Sequence, residues 1–421
     1  MRKTIYYMGF NAHLHLIVQD SGNLLVGGAL CVPRKSVPPQ RCGYIDRPGL
    51  LVLNGADRHI VAAFWSAAVL HLDDGFWHLG FHSGGKVPIR IELEDGLKME
   101  DIKEWFGDLG GVIGAIAKSG DLLILDKESR DSKEESGDSG DESDDGRSTS
   151  MRLKSAGPLH ESVNSNTSDV VCIECIVVAG NEQVCLVTCT SLRKRPPKKW
   201  KVSIFANSSA MFEGAAPIDE HHLSTAIHSA TAGATAFALL LEDGGVLTFG
   251  SRLHPAMLAR SPTTESPSEI PCQVDFLGGI AIQKIEMNEW LGAALSTDQD
   301  LYIWGGRVGE VNRIDGLPGN GEDVMLVNID NEKDVTDFAI GMGHILVLTA
   351  EGAVWACGSN QYGQVKPLSR GAIFKRNWRR MKLRHWSDEK VVSLRAGGWG
   401  SWVNVEEIAA SSETSDSQQS H

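Results

Sequence analysis

The sequence predicts an all-β protein, a seven-bladed β-propeller that is closed by its N- and C-terminal strands. Three observations lead to this prediction: a repeated hairpin pattern, an even spacing of the repeats, and a partial repeat at each end of the chain. The 421 residues are 42% hydrophobic, which is enough for a sizeable core. Because one ring of blades can take up several hundred residues, this length is compatible with a single domain.

The repeated pattern consists of two apolar runs that are separated by a short turn and followed by a Gly-rich segment. The clearest copy turns at Glu351-Gly352, and similar copies turn at Asp243-Gly244, near Asp298 and at Asp74-Gly75. A weaker copy turns at Ser119-Gly120. Apolar and β-branched runs on either side of a Gly-containing turn are typical of β-hairpins. Each copy therefore predicts one antiparallel hairpin of a blade.

The spacing of the Gly residues that end these hairpins supports one common period. Gly250 and Gly305 are 55 positions apart, and Gly305 and Gly358 are 53 positions apart. Without the polar segment 126–169 and the tail 406–421, about 52 residues remain for each of seven blades, a length that suits a propeller blade. We expect these glycines to adopt positive φ angles where the chain leaves a strand.

The two ends of the chain each carry part of a repeat. Residues 391–405 begin a hairpin that stops before its second half, whereas residues 4–18 contain an outer strand without inner strands before it. Pairing of these two parts would complete one blade and protect its open edge. We therefore predict a single propeller domain, 1–405, whose N-terminal strand is required for folding.

An acidic insertion, predicted to be disordered, interrupts the repeats at 126–169. Between Asp126 and Asp145 there are ten acidic and three basic residues, a net charge of −7 in a chain whose formal net charge is −14. Such a segment has too few apolar side chains to offset the entropy of ordering. We expect the insertion to be dispensable for folding, and we predict that the tail 406–421 is also disordered.

The composition also excludes several classes of function. A net charge of −14 disfavours non-specific binding to nucleic acid and to anionic membranes. No apolar run approaches the length of a membrane span, and eight cysteines are too few for a disulfide scaffold of this length. We predict a monomeric protein of the cytoplasm, the nucleus or both.

No motif in the sequence predicts a catalytic residue, a cofactor or a metal site. The strongest candidate for a metal is the group Cys172-x2-Cys175 and Cys185-x3-Cys189, which could supply four thiolates to zinc. These cysteines lie in apolar hairpin sequence, and an odd separation along a strand places Cys172 and Cys175 on opposite faces. We therefore favour buried structural thiols over a zinc site.

Two basic segments stand out in the acidic chain, Arg193–Lys201 and the longer Lys366–Trp386. The longer segment combines arginines with tryptophans, the residue types that dominate binding hot spots. We predict that it is a loop that binds a protein partner with an acidic surface. The residues chosen for this role are Arg376, Trp378, Arg379, Arg380 and Trp386. A solvated loop or short helix that is fixed by its tryptophans is the structural alternative, and binding of single-stranded nucleic acid is a third.

Several of the Gly-rich segments resemble the regulator-of-chromosome-condensation repeat family. Residues 358–365, GSNQYGQV, resemble its complete repeat signature, and residues 80–87, GFHSGGKV, resemble it in part. Residues 396–401, AGGWGS, resemble the end of the family's final blade, with Gly400 at the position of a histidine. His344 matches a repeat histidine, whereas Ala236 stands at the equivalent position of an earlier blade.

This resemblance implies a propeller that acts as a non-enzymatic scaffold for protein interactions. The chain is most similar to the short, divergent members, such as the fungal alpha-tubulin-suppressor proteins. The partner of those proteins is a small metalloprotein that serves diphthamide synthesis and tRNA modification. The alternatives within the family are guanine nucleotide exchange on a Ran-like GTPase and a chromatin-associated adaptor. Exchange uses a projecting β-wedge, and the sequence shows no recognisable wedge.

Overall fold

The computed structural model of the chain consists almost entirely of antiparallel strands. It describes residues 3–9, 17–18, 24–25, 49–53, 59–64, 67–72, 75–80, 89–108, 111–128, 150–156, 169–192, 195–306, 324–329, 334–360, 365, 374–381, 389–398 and 400–407. None of the helices in these ranges is long and apolar enough to cross a membrane.

The strands are numbered along the chain. The first twelve are β1 Lys3–Gly9, β2 Ile17–Val18, β3 Leu24–Leu25, β4 Gly49–Leu53, β5 His59–Ala63, β6 Ala67–Leu72, β7 Gly75–Gly80, β8 Ile89–Leu93, β9 Ile102–Asp108, β10 Gly111–Ala117, β11 Leu122–Glu128 and β12 Ser150–Ser155. The next eight are β13 Asp169–Val178, β14 Val184–Leu192, β15 Arg195–Phe205, β16 Asp219–Leu223, β17 Ile227–Ala232, β18 Ala236–Leu241, β19 Val246–Gly250 and β20 Cys272–Gln273. The last ten are β21 Ile282–Asn288, β22 Leu291–Ser296, β23 Leu301–Gly305, β24 Met325–Leu326, β25 Val335–Gly341, β26 His344–Thr349, β27 Val354–Ser359, β28 Phe374–Arg380, β29 Glu389–Gly397 and β30 Gly400–Glu407. The short helical segments are α1 Ser208–Phe212 and the 3-10 turns Met99–Asp101, Pro255–Leu258 and Asp275–Leu277.

Most strands form four-stranded sheets with a simple up-and-down order. Four sheets contain consecutive strands, namely β13 to β16, β17 to β20, β21 to β24 and β25 to β28. A fifth has the order β29-β30-β1-β4, and β2 pairs only with β3. An eight-stranded sheet consists of two further sets of four, β5 to β8 and β9 to β12, which are joined by parallel pairing of β8 with β12.

The first strands of these sets follow one another around a closed ring. β5 contacts β9, and contacts continue through β13, β17, β21, β25 and β29, which contacts β5 again. A closed succession of inner strands is the arrangement that a propeller requires. The predicted all-β propeller is therefore confirmed. The number of blades stays a prediction, because β8 and β12 unite two of the four-stranded sets in one sheet.

The predicted closure by the two ends of the chain is also confirmed. β1 pairs with β30 over its whole length, from Lys3 opposite Glu406 to Gly9 opposite Gly400. On its other side β1 pairs with β4, with Lys3 opposite Leu53. β1 is therefore the third strand of this sheet, so the prediction that it is the outer strand was wrong. The outer strand is β4, which the repeat pattern did not reveal.

The central strands are apolar on both faces because each sheet packs against a neighbour on either side. Every residue of β22, β26 and β27 is buried. Gly358, the second-last residue of β27, has a φ of 105°, and a Cβ at this position would collide with the carbonyl oxygen of Gly343. Gly250 and Gly305 occupy the same place in two other sheets, with φ angles of 152° and 109°. The expected positive φ angles are therefore present.

The predicted disordered insertion contains a strand of the core, so the prediction was wrong at 150–156. β12 pairs with β11 in an antiparallel register that places Glu128 opposite Ser150. Met151 and Leu153 are fully buried, and they alternate with the polar residues Arg152 and Lys154. Because this alternation is short and follows a highly charged segment, the sequence pattern did not indicate a strand here. The residues 129–149, 157–168 and 408–421 lie outside the described part of the chain.

Candidate partner-binding surface

The basic segment that was predicted to be a loop contains the outer strand of a sheet. Residues 374–380 form β28, which pairs with β27. The prediction of a loop, and the alternative of a short helix, were therefore wrong for these residues. Arg376 lies in this strand, but its side chain is outside the described part of the structure, as is all of Trp386.

β28 is irregular in the middle. Ala356 lies opposite Arg379, and Gly358 lies opposite Lys375. The three residues 376–378 therefore lie opposite Cys357 alone, which makes this part of the strand a bulge. Regular pairing resumes afterwards, where the N–H of Met381 donates to the carbonyl oxygen of Val354 at 2.7 Å. Bulges on an edge strand twist the edge and hinder pairing with another chain.

The side chains of β28 divide between the core and the solvent. Trp378 is half-buried and packs against the core between the β21–β24 and β25–β28 sheets, a cluster that includes Phe338 and Trp355. Arg379 and Arg380 are exposed, and within the described ranges neither guanidinium pairs with a carboxylate. Trp378 and the two arginines therefore lie on one strand, but the side chain of Trp378 packs against the core.

Charged side chains on an outer strand also have a purely structural explanation. Natural sheets carry lysine and arginine at their edges because exposed backbone donors and acceptors would otherwise pair with other molecules. Arg379 and Arg380 satisfy this requirement for the β25–β28 sheet. As neighbours in a strand, the two arginines point to opposite faces, so they add positive charge to both sides of this sheet edge in a chain of net charge −14. Binding by these residues therefore stays a prediction.

A polar network between inner strands was not predicted from the sequence. The Nζ of Lys284 in β21 lies 2.7 Å from Oδ1 of Asp337 in β25 and 2.9 Å from Oε1 of Glu286. Oδ2 of Asp337 accepts the backbone N–H of Leu394 in β29 at 2.8 Å. Burial acts to lower the pKa of Lys284, but the two carboxylates outweigh it and raise the pKa. These contacts tie three successive sheets together. The sequence feature that could have revealed this network is the pair Lys284 and Glu286, two positions apart in the otherwise largely apolar strand β21.

Similar contacts join other neighbouring sheets. Nζ of Lys103 in β9 lies 2.7 Å from Oε2 of Glu174 in β13. The N–H of Met287 in β21 donates to Oγ1 of Thr231 in β17 at 2.8 Å. Beside Lys103, burial raises the pKa of Glu104 to about 7, although the lysine charge opposes this shift. The polar groups of these inner strands therefore serve mainly to hold the ring together.

The repeat histidine His344 also connects two sheets. Its ring is fully buried, and Nε2 lies 2.8 Å from Oγ of Ser401 in β30. Gly341 passes so close to the ring that a Cβ at position 341 would collide with it. Burial lowers the pKa of His344 to about 4, despite hydrogen bonds with the backbone of Met342 and Gly400. A neutral, enclosed imidazole of this kind is a structural link.

The four clustered cysteines lie in the paired strands β13 and β14. Cys172 is opposite Cys189, and Cys175 is opposite Val187, two positions from Cys189 in β14. A bulge in β13 therefore puts Cys172 and Cys175 on the same face, so the predicted opposite faces were wrong. Cys175, Cys185 and Cys189 are buried between two sheets, and burial raises the pKa of Cys175 and Cys185 well above that of a free thiol. A thiol that resists deprotonation is a poor metal ligand. In the described ranges, no group of three or more potential ligands could hold a metal ion.

The comparison with known families identifies the repeat around His344. Residues 335–364, which span β25 to β27 and the Gly-rich segment after them, match the family model of the regulator of chromosome condensation (RCC1) repeat. The chain therefore contains a segment that matches this repeat. The resemblance noted in the sequence is therefore confirmed, and His344 and Gly358 are parts of the matched repeat.

Solved structures of RCC1-type proteins have a similar fold. Yeast RCC1 (Prp20), solved in complex with Kap60, gives a TM-score of 0.60 at 13% identity over 97% of this chain and 90% of that one. Prp20p from Saccharomyces cerevisiae, described with its binding properties to Gsp1p and histones, gives 0.58 at 12% identity, covering 97% and 93% of the two chains. Human WBSCR16 gives 0.54 at 11% identity, covering 96% and 99%. At these identities the similarity establishes the fold alone.

Proposed function

We propose that this protein is a non-enzymatic scaffold that binds another protein through the outer surface of its propeller. The RCC1 repeat at 335–364 supports this proposal, since propellers with this repeat are mostly interaction proteins or exchange factors. The arrangement of polar groups supports it as well. Lys103 and Lys284 of inner strands and His344 of the second strand β26 contact neighbouring sheets, so we expect a partner to bind outer strands and connecting segments.

The binding surface that we propose is the basic segment around β28, with Arg376, Arg379 and Arg380 as its charged part. Arg379 and Arg380 are exposed and lack a carboxylate partner among the described residues, so their charge is available to another molecule. A positive surface on an otherwise acidic chain would attract a partner with an acidic surface and increase its association rate. Trp386, ten residues after Arg376, would supply an apolar anchor in the same segment.

Charge reversal tests this proposal. The triple variant R376E/R379E/R380E should fold, because exposed charges contribute little to stability, and it should lose the main acidic partner in affinity purification with quantitative mass spectrometry. A control with the same change in charge, K118E/K199E/R252E, alters exposed residues elsewhere and should retain the partner. Equal recovery of the partner with both variants would place the binding surface elsewhere.

The finer proposal concerns the identity of the partner. Similarity to the alpha-tubulin-suppressor proteins favours a small metalloprotein of diphthamide synthesis and tRNA modification, bound by a monomeric propeller in the cytoplasm, the nucleus or both. The second candidate is exchange on a Ran-like GTPase, which is favoured by the fold shared with yeast RCC1 (Prp20) over 97% of the chain. Accelerated release of a fluorescent guanine nucleotide from such a GTPase would support the exchange function. Recovery of the small metalloprotein without accelerated release would support the scaffold function.

A further inference from the structure

The outer surface of two neighbouring sheets, β17–β20 and β21–β24, has an unbalanced charge. Between Ser261 and Gly306 there are seven acidic residues and one basic residue, Lys284. Lys284 is engaged with Glu286 and Asp337 in the network of inner strands. Just before this segment, burial lowers the pKa of Arg260, and the negative charges of Asp275 and Glu269 oppose this shift. The segment nevertheless carries an excess of negative charge that is separate from the acidic insertion.

Two exposed apolar side chains in this region neighbour the same tyrosine. Phe276 is 55% exposed and Leu326 is 50% exposed. The ring centroid of Phe276 lies 6.1 Å from that of Tyr302, in an edge-to-face arrangement. Leu326 is the strand partner of Tyr302, so both side chains lie on the same face of the sheet. The largely buried Tyr302 therefore has an exposed apolar neighbour both in the 3-10 turn and in the next strand.

The local backbone holds Phe276 in this exposed position. It lies in the 3-10 turn Asp275–Leu277, between the fully buried side chains of Val274 and Leu277. The N–H of Val274 donates to the carbonyl oxygen of Val246 at 3.0 Å, and the N–H of Leu277 donates to that of Val274 at 3.0 Å. An apolar side chain that is fixed before binding loses little entropy when a partner covers it.

Carboxylates lie close to these residues in the sequence. Asp275 precedes Phe276 and is exposed, and Asp298 is exposed in the turn that leads to Tyr302. Asp300 lies two positions before Tyr302, immediately before β23, and the pKa of Tyr302 is raised, first by burial and then by the negative charges of Asp300 and Asp298. Within the described residues, neither Asp298 nor Asp300 forms an ion pair. We call Phe276, Tyr302, Leu326, Asp275, Asp298 and Asp300 the acidic-apolar patch.

We propose that the acidic-apolar patch binds a basic segment of another protein. An apolar side chain of this segment contacts Phe276 and Leu326, and its lysine or arginine side chains lie beside Asp275, Asp298 and Asp300. Charge complementarity favours this occupant, because Asp275, Asp298 and Asp300 are negatively charged and, within the described residues, neither Asp298 nor Asp300 forms an ion pair. The patch is distinct from the basic segment around β28, so it provides a second surface of opposite charge.

Fluorescence anisotropy with a labelled peptide of alternating lysine and leucine tests this proposal in the full-length protein. In one control peptide every lysine is replaced by glutamate, and in the other every leucine is replaced by serine. Both control peptides should bind more weakly than the lysine–leucine peptide. The double variants F276S/L326S and D298N/D300N should each weaken the Kd of the lysine–leucine peptide by about tenfold or more. Thermal unfolding shows whether each variant folds. If one double variant does not fold, the Kd of the peptide for the other double variant tests the proposal.

Two control variants separate the patch from general surface effects. L253S removes a leucine that is 72% exposed outside the patch, and D95N/E351Q removes two exposed carboxylates from other sheets. Both should leave the Kd of the peptide unchanged. Equal binding by all variants, or failure of the lysine–leucine peptide to bind the unaltered protein, would overturn the proposal. Self-association in sedimentation velocity that F276S/L326S abolishes would overturn it too, since the patch would then bind a second copy.

Discussion

The hairpin formed by β11 and β12 allows the acidic insertion to be shortened without loss of a strand. Glu128 and Ser150 are direct partners across the two strands, and 21 residues connect them. In the first variant, Asn-Gly replaces 129–149, because this dipeptide favours the two-residue turn of an antiparallel hairpin. In the second variant, residues 129–156 are deleted, which removes β12 as well.

The two variants should change stability in opposite directions. Shortening the loop from 21 residues to two lowers the entropy cost of closing it by about 2 kcal/mol. Residues 129–149 also contain eight acidic and three basic residues, so the change removes a net charge of −5 from an acidic protein. Deletion of β12 instead removes Met151 and Leu153, which are fully buried. Each such side chain contributes about 1.5–3 kcal/mol, so this variant should lose roughly 3–6 kcal/mol.

Urea unfolding followed by far-UV circular dichroism measures both effects. The midpoint for the Asn-Gly variant should equal or exceed that of the unaltered protein, with the same slope, whereas deletion of β12 should lower the midpoint markedly. If the Asn-Gly variant is as unstable as the β12 deletion, the hairpin register is wrong. If the β12 deletion is as stable as the unaltered protein, β12 is not part of the core.

Three further predictions concern the closure of the ring and two buried titratable groups. Deleting residues 1–9 removes the strand between β30 and β4, so the protein should become insoluble or much less heat-stable, and an unchanged Tm would contradict the closure. The pKa of Glu104 is raised to about 7, so the native state should lose on the order of 3 kcal/mol as the pH rises from about 4.5 to 7. E104Q should abolish this loss in urea midpoints measured across that range, and an unaltered pH profile would refute the argument. The pKa of His344 is lowered to about 4, so stability should fall as the pH drops from about 6.5 towards 4. H344N should be less stable at neutral pH, because it changes the contact with Ser401, but should show a flatter acid limb; a profile parallel to that of the unaltered protein would argue against this role.

Local patterns were sufficient to predict the hairpins, the positive φ angles of their exit glycines and the closure by the two ends. Each of these features depends on a few consecutive residues, such as the Glu351-Gly352 turn and Gly358, or on a repeat that is visibly incomplete. The match at 335–364 lies where the pattern is clearest. The site was less predictable, since the basic composition of 366–386 does not reveal which side chains face the solvent.

Composition showed that the chain is acidic, and the order of its residues indicated apolar β-hairpins and a resemblance to a known repeat. Only the tertiary structure decided that residues 150–155 form a strand, that Trp378 packs inward and that Lys284 joins three sheets. It also decided that Phe276 and Leu326, 50 positions apart, both neighbour Tyr302. The physical reason is the same in each case. An outer strand or a surface patch is defined by neighbours that are distant in sequence, and its own residues need only be compatible with them.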